Sequence, residues 1–354
     1  MTVDKGIFIQ NIYYMLSYAF QILRQEDYKK VAGEKFDNIY DLFAAMLEKG
    51  VSRQIKQGLY REYVPMQEQL SVMRGKLNMS ETMHLRVQRK QKLSCQFDEF
   101  SQDNIYNQIL KVTLHVLARA EDVAKERKQA LRSLLVYFGG VTLIQPRNIA
   151  WDRLIYRRGN RNYELLLNIC RLVLSGMLQT TEDGSYKLLS FTDENMARLY
   201  EKFILEYYKY HHPELDPRSA QIPWALDNGN SDMLPSMQSD IMLKNKSGDT
   251  ILIIDAKYYS HTTQAQYNVH TLHSNNLYQI FTYVKNKDAD FRDKPHKVSG
   301  MLLYAATDES IQPDNTYLMS GNKISVKTLD LNKDFSGIQA QLNLIAEEYF
   351  SQKS

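Results

Sequence analysis

Only two of the 354 residues are cysteine, Cys95 and Cys170, and they form no CxxC pair. That argues against a disulfide framework or a structural zinc site and points to a reducing cytoplasm. No apolar run approaches the roughly 18 residues needed to span a bilayer. The first two dozen residues include Asp4, Lys5, Gln10 and several tyrosines, so no secretory apolar core is expected. Neither sign of charge dominates, with 44 Lys and Arg against 41 Asp and Glu. A protein that held DNA unaided by neutralising many phosphates would be more basic than this net +3. The motifs GxxxxGK[ST], GxGxxG and GxSxG are all missing, which speaks against nucleotide hydrolysis by this chain. Internal repeats and low-complexity linkers are missing too.

The rest of the composition is ordinary for a globular protein, at 44% hydrophobic and 24% charged. The length suits roughly two or three domains. Basic clusters at LRVQRKQK (85–92), KERKQALR (125–132) and RLIYRRGNR (153–161) read as solvated faces or as nucleic-acid contacts. Helical spacing from Ile12 to Leu23 and over 37–55 predicts two helices. Residues 58–100, with Pro65 and Gly75, read as short strands or an extended arm, and good helix formers resume over 103–136. A strongly apolar helix from Asn162 opens a second domain, with the boundary near 160.

The C-terminal half has a readable order. Met196, Leu199, Tyr200, Phe203, Ile204, Tyr207 and Tyr208 predict a helix over 193–211, with Thr192 or Asp193 as its N-cap and Pro213 beyond its end. An edge strand at 220–226 holds Pro223. Strands at 237–245 and 250–259, a helix at 275–286 and a final core strand at 298–306 complete the pattern.

Within it, ILIIDAKYYS (251–260) places Asp255 and Lys257 at the end of an apolar run. If Ser247 and Gly248 form a two-residue hairpin loop, Lys246 faces Asp249 and Asp240 lies opposite Asp255. Opposed side chains on one face have Cβ atoms about 4.5–5.5 Å apart. Lys257 shares that face, and Ala256 points to the other. Two carboxylates that close require a cation, and a hard divalent ion with oxygen ligands answers the need, the Ala256 carbonyl being a third oxygen. Such an ion, with the Lys257 ammonium beside it, meets the requirements of phosphodiester hydrolysis. The same three residues can instead form an inactive salt-bridged cluster. Glu201 borders the apolar stripe of its helix and is either a further ligand, directly or through water, or a solvated carboxylate. Gln279 and Tyr283 share a second face of the 275–286 helix, and Gln279 either looks onto the site or lies on the surface. His211 and His212 suit a helix C-terminus; His261, His270 and His273 fall in a polar loop without zinc-ligand spacing.

The pattern SD-x14-DAK after a helix bearing Glu201 resembles the PD-(D/E)xK nuclease superfamily. NIYYMLSYAF (11–20), GLYREYVP (58–65), MRGKLN (73–78), CQFDEFSQDNIYNQILK (95–111), LYEKFI (199–204), IIDAKYY (253–259) and LYQIFTYV (277–284) resemble the McrC family of McrBC-type 5-methylcytosine restriction systems. The resemblance implies an α+β fold: a mainly helical N-terminal domain (1–160), then an endonuclease domain (161–354) with an α-β-β-β-α-β core. It implies a Mg²⁺-dependent DNA endonuclease subunit, with Mn²⁺ as a substitute. Asp240, Asp255 and Lys257 take the catalytic roles, and Glu201 and Gln279 match flanking motifs. The partner implied is a hexameric McrB-like AAA+ GTPase that binds GTP, recognises modified double-stranded DNA and is stimulated by this subunit. The extended arm at about 58–92, with Arg61, Arg74, Arg86 and Arg89, is the candidate pore-inserting element. Ser239 stands where a Pro commonly precedes the first Asp, and Ala256 where Thr is usual. Two rival readings remain: an activator with a catalytically dead nuclease fold, and a stand-alone repair nuclease.

Overall fold

The strand Thr250–Lys257 is buried along almost its whole length, as a strand must be when helices cover both faces of its sheet. The computed structural model describes residues 3–4, 7–21, 31, 34–36, 38–175, 177–179, 186–188, 193–230, 232–258, 263–266, 269–291, 294–306 and 312–351. The chain divides into two compact units, Met1–Leu42 with Ser190–Ser354, and Phe43–Leu189. The expected division near 160 falls inside the second unit, where the helices Ile105–Leu117 and Tyr163–Ser175 pack together.

The first unit is built on a mixed five-stranded sheet in the order Ile241–Lys244, Thr250–Lys257, Lys297–Ala305, Asn322–Leu329, Asn315–Met319. Its two outer pairings are antiparallel and its two inner ones parallel. The helix Ser274–Ala289 covers one face, setting Ile280, Tyr283 and Val284 against Ile251, Ile253, Leu302 and Val326. Gly300 makes that close approach possible, since a Cβ there would lie 2.7 Å from Val284 Cγ2 and 2.8 Å from Ile280 Cγ1. The helix Phe335–Phe350 is tied to the alternate residues of the 322–329 strand. Tyr349 bonds Ser325 at 2.5 Å, and Lys323 and Lys327 pair with Glu348. The helix Asp193–His211 joins it through Tyr207 Oη to Asn343 Oδ1 at 2.9 Å and Tyr208 Oη to the Leu342 carbonyl at 3.0 Å. The N-terminal helix, Ile9–Ala19, belongs to this unit as well. Tyr18 is hydrogen-bonded to His211 Nε2 at 2.8 Å and packs against Phe203, Tyr207 and Phe335.

The second unit holds the helices Ile105–Leu117, Lys125–Leu135 and Tyr163–Ser175 and a three-stranded antiparallel sheet ordered Glu62–Leu70, Leu93–Ser101, Lys76–Leu77. The root of the arm is fixed by polar side chains. The Tyr60 carbonyl accepts from Asn104 and Asn107 at 2.9 and 2.8 Å, and its N–H donates to Tyr163 Oη at 2.9 Å.

Several expectations need correction. The arm contains a helix, Met79–Val87, capped by Asn78 Oδ1 accepting from the Glu81 N–H. The strand expected at 220–226 is only Gln221–Ile222, paired with Met237–Gln238 outside the main sheet, because Pro223 ends it. The stretch expected as a polar loop contains a hairpin, Thr263–Gln266 with Val269–Leu272. The strand expected to be last lies mid-sheet, and two strands and a helix follow it. Thr192 and His261 lie outside the described residues. Among the described residues no helix is long and apolar enough to cross a membrane.

Gly300→Ala is expected to force the 274–289 helix off the sheet, costing roughly 1–3 kcal/mol as overpacking does. Urea denaturation checks this through a lowered midpoint at unchanged slope.

Candidate active site

The hairpin pairs in the expected register, with Ile241 against Ile254 and Lys244 against Ile251. Its turn differs from the expected one. Asn245, not Lys246, closes the loop: its N–H donates to the Thr250 carbonyl at 3.1 Å, and its carbonyl and Oδ1 accept the Gly248 N–H at 3.0 and 2.9 Å. Gly248 takes a positive φ of 78° there, which glycine adopts without strain. Both loops put the same residues opposite each other, so Asp240 still stands across from Asp255.

Asp240 precedes the first paired residue, Ile241, and sits in a bend. Its Oδ2 accepts the Ala256 N–H at 2.9 Å, replacing the next rung of the ladder. In an extended strand a residue's N–H and C=O leave by the same edge, so the Ala256 carbonyl faces Asp240 too. Asp255 is 1% exposed, and neither of its carboxylate oxygens accepts a hydrogen bond of ordinary geometry. The Lys257 ammonium stands 2.9 Å from its Oδ2 as an ion pair. Lys257 also donates to Gln279 Oε1 at 3.3 Å, and Gln279 Nε2 donates to Tyr283 Oη at 2.9 Å. The side chains of 255, 257, 279 and 283 thus form one chain of contacts. The group lies at the carboxyl end of a parallel strand, where open α/β sheets bind ligands.

Electrostatics set these carboxyls apart. Burial raises Asp255 well above the ordinary carboxylate range; the Lys257 ammonium opposes the rise and the charge of Asp240 adds to it. Burial also raises Asp240, against the Ala256 N–H and Lys257. Glu201 is pushed up to about 7, by burial first and then by Asp240. Among the described residues no three His, Cys, Asp or Glu side chains form a metal-binding group, so Glu201 stands back from the aspartate pair. It lines a cleft of about 400 Å³ with Asp240, Arg198, Lys202, Ser219 and Gln238.

One ammonium, that of Lys257 against Asp255, faces two carboxylates, the buried Asp255 and the half-buried Asp240. Together with the Ala256 carbonyl they make an all-oxygen donor set, which fits Mg²⁺ or Mn²⁺ and does not suit a thiophilic metal. His211 bonds Tyr18, and His212 Nε2 meets Asn343 Oδ1 at 2.9 Å. Cys95 and Cys170 are free and buried.

The sequence reading noted Ser239 only as a departure from the usual Pro; the structure shows that it positions Asp240. Ser239 is 1% exposed; its N–H donates to the Ala220 carbonyl at 3.0 Å, and its Oγ accepts the Ala220 N–H at 3.3 Å. A polar residue between a two-residue strand and an apolar one was the available signal. Arg198 and Lys202 did not enter the sequence reading, although their i, i+4 spacing around Glu201 was readable.

Comparison with known proteins gives this geometry a family. The model described as "McrBC 5-methylcytosine restriction system component" matches residues 8–305. The chain is 25% identical over 346 residues to the type IV methyl-directed restriction enzyme EcoKMcrBC of Escherichia coli (strain K12), spanning 96% of this chain and 97% of that protein. A solved structure titled as a refined half-complex from a tetradecameric assembly of Thermococcus gammatolerans McrB AAA+ hexamers with bound McrC is similar, at TM-score 0.47 and 19% identity, over 95% of this chain and 76% of that one. The cryo-EM structure of the Thermococcus gammatolerans McrBC complex is similar at TM-score 0.40 and 22% identity, over 56% of each chain. With most of its length matched by the family model, the chain belongs to the McrBC 5-methylcytosine restriction system component family.

Proposed function

We propose that this chain is the DNA endonuclease subunit of a GTP-dependent, modification-dependent restriction complex, cutting phosphodiester bonds with Mg²⁺ or Mn²⁺. The observation that carries the reading is Asp255: a carboxylate that is 1% exposed and stands beside a second carboxyl, Asp240, with one ammonium, Lys257 at 2.9 Å, to answer both. A purely structural ion pair would match its charges one for one. Asp240, Asp255 and the Ala256 carbonyl would hold the ion, which supplies Lewis-acid polarisation of a phosphoryl oxygen. Lys257, steadied between Asp255 and Gln279, directs its ammonium toward the phosphate or the attacking water. Tyr283 holds Gln279 with its amide oxygen toward Lys257. Glu201, at about 7, can exchange a proton near neutral pH.

A separate motor supplies the GTP chemistry. The family description names a system component, and none of the phosphate-loop motifs occurs in these residues. A McrB-like AAA+ GTPase hexamer is the partner, and it binds the modified DNA. The arm at about 58–92 is the element offered to its pore. Tyr63, Met73, Met83 and Val87 are exposed there, and so are Arg61, Arg74, Arg86 and Arg89.

Reconstitution with the partner, GTP, Mg²⁺ and methylated duplex DNA tests this. Asp255→Asn is expected to lower cleavage by roughly a thousandfold, the several kcal/mol a metal ion contributes, while stimulation of GTP turnover survives. Cleavage at the wild-type rate by the variant would overturn the site. A wild-type chain that stimulates the GTPase but never cuts is the inactive activator, and one that cuts without GTP or partner is a stand-alone nuclease.

A second outcome concerns pH. The carboxyls of Asp255 and Glu201 are raised in the folded chain, so between about pH 4 and 7 the folded state binds more protons than the unfolded one, and metal-free stability falls as pH rises through that window. Mg²⁺ competes with those protons. Thermal melts are therefore expected to show stabilisation by Mg²⁺ at pH 8, little at pH 5, and a flatter pH profile in Asp255→Asn. A Mg²⁺ shift that is equal at both pH values, or unaltered in the variant, would contradict this.

A further inference from the structure

We propose that Arg198 and Lys202 form a subsite for a DNA backbone phosphate next to the one that is cut, steering the strand over Asp240. The inference deepens the nuclease reading and rests on it. Arg198, Glu201 and Lys202 occupy i, i+3 and i+4 of the 193–211 helix, so they share one face, and all three line the cleft of about 400 Å³ that Asp240 enters. The cleft therefore has an acidic floor and a rim with two cations one helical turn apart. A cation at the floor alone would draw a phosphate in without fixing the direction of the strand; a second, cationic anchor along the cleft supplies direction.

Arg198 is held in a way a phosphate can replace. Arg198 Nη2 meets Glu194 Oε1 at 2.8 Å, but the two side chains are 55% and 73% exposed, and a surface pair of that kind is worth little. A phosphate offers the guanidinium a stronger bidentate partner. The Lys202 ammonium lies 4.0 Å over the Phe20 ring, which orients it. Across the cleft the wall is polar and rigid: Gln238 Nε2 donates to Ser219 Oγ at 2.8 Å, and Ser219 Oγ donates to the Ser239 carbonyl at 2.7 Å. Neither of these two wall side chains is acidic, so an anion at the rim meets no repulsion from them. The occupant this suits is a phosphodiester backbone.

Two measurements test the subsite. Binding of a labelled duplex to the full chain is followed against salt in EDTA, and cleavage kinetics are measured in the reconstituted complex. Arg198→Gln and Lys202→Gln are each expected to weaken duplex binding about tenfold and to reduce the salt slope by about one. In cleavage each is expected to raise KM about tenfold with kcat within about twofold. Arg198→Lys and Lys202→Arg restore most of both, and unchanged urea midpoints show that the fold is intact. Wild-type cleavage together with unaltered KM and salt slope in both glutamine variants would overturn the subsite and leave the nuclease reading standing. A reduced salt slope in variants of a chain that never cuts would keep the phosphate site and remove the nuclease.

Discussion

Asp255 cannot be exposed, because its strand is the second of five and is covered on both faces, and it cannot be left charged and alone, because burial of an isolated carboxylate costs several kcal/mol. The surrounding elements answer these two demands together. The 241–244 strand brings Asp240 across, with its Oδ2 taking the Ala256 N–H. The 274–289 helix, let down onto the sheet at Gly300, brings Gln279 to Lys257. Lys257 then compensates one negative charge of the pair. What remains is an oxygen-lined place in which one ammonium faces two carboxyl groups, both raised by burial.

The parts of this arrangement that depend on period and register were legible. Alternation along 251–257 assigns Asp255 and Lys257 to one face, and helical spacing assigns Gln279 and Tyr283 to one face. The hairpin shows how a wrong local detail can leave the register right. A two-residue loop closed by Lys246 and Asp249, and the observed loop closed by Asn245 and Thr250, oppose the same pairs. The Asn245 side chain decides between them by accepting from Gly248 and Thr250 and donating to Asp249 at 2.7 Å.

Other parts had readable signals that went unused. Asn78 followed by Glu81 marks a helix start inside the polar arm. Ser320-Gly321, between the paired residues Met319 and Asn322, is the two-residue turn that was sought at Ser247-Gly248; both residues have positive φ, 47° and 89°. The break between Leu117 and Lys125 carried no such signal, since no side chain caps the second helix. Nor could pattern alone show that Ile9–Ala19 belongs with the C-terminal unit. That depends on contacts such as Tyr18 with His211 and Phe335, across most of the chain's length, and amphipathic spacing names a buried face without naming what buries it.

Ser239 shows how a bend can be fixed without proline. The chain must bend between Met237–Gln238 and Ile241–Lys244 so that Asp240 turns toward Asp255. A proline at 239 would fix φ through its ring, but it has no N–H. Here the bend is held by hydrogen bonds instead: the Ser239 N–H donates to the Ala220 carbonyl, the Oγ accepts the Ala220 N–H, and the Ser239 carbonyl accepts from Ser219 Oγ. These bonds tie the bend to the 218–222 segment, whose Arg218 exchanges both backbone hydrogen bonds with Met242 at 3.1 and 2.7 Å. The aspartate is therefore positioned by two flanking segments, and the residue before it is free to differ so long as one of the two means of rigidity is present.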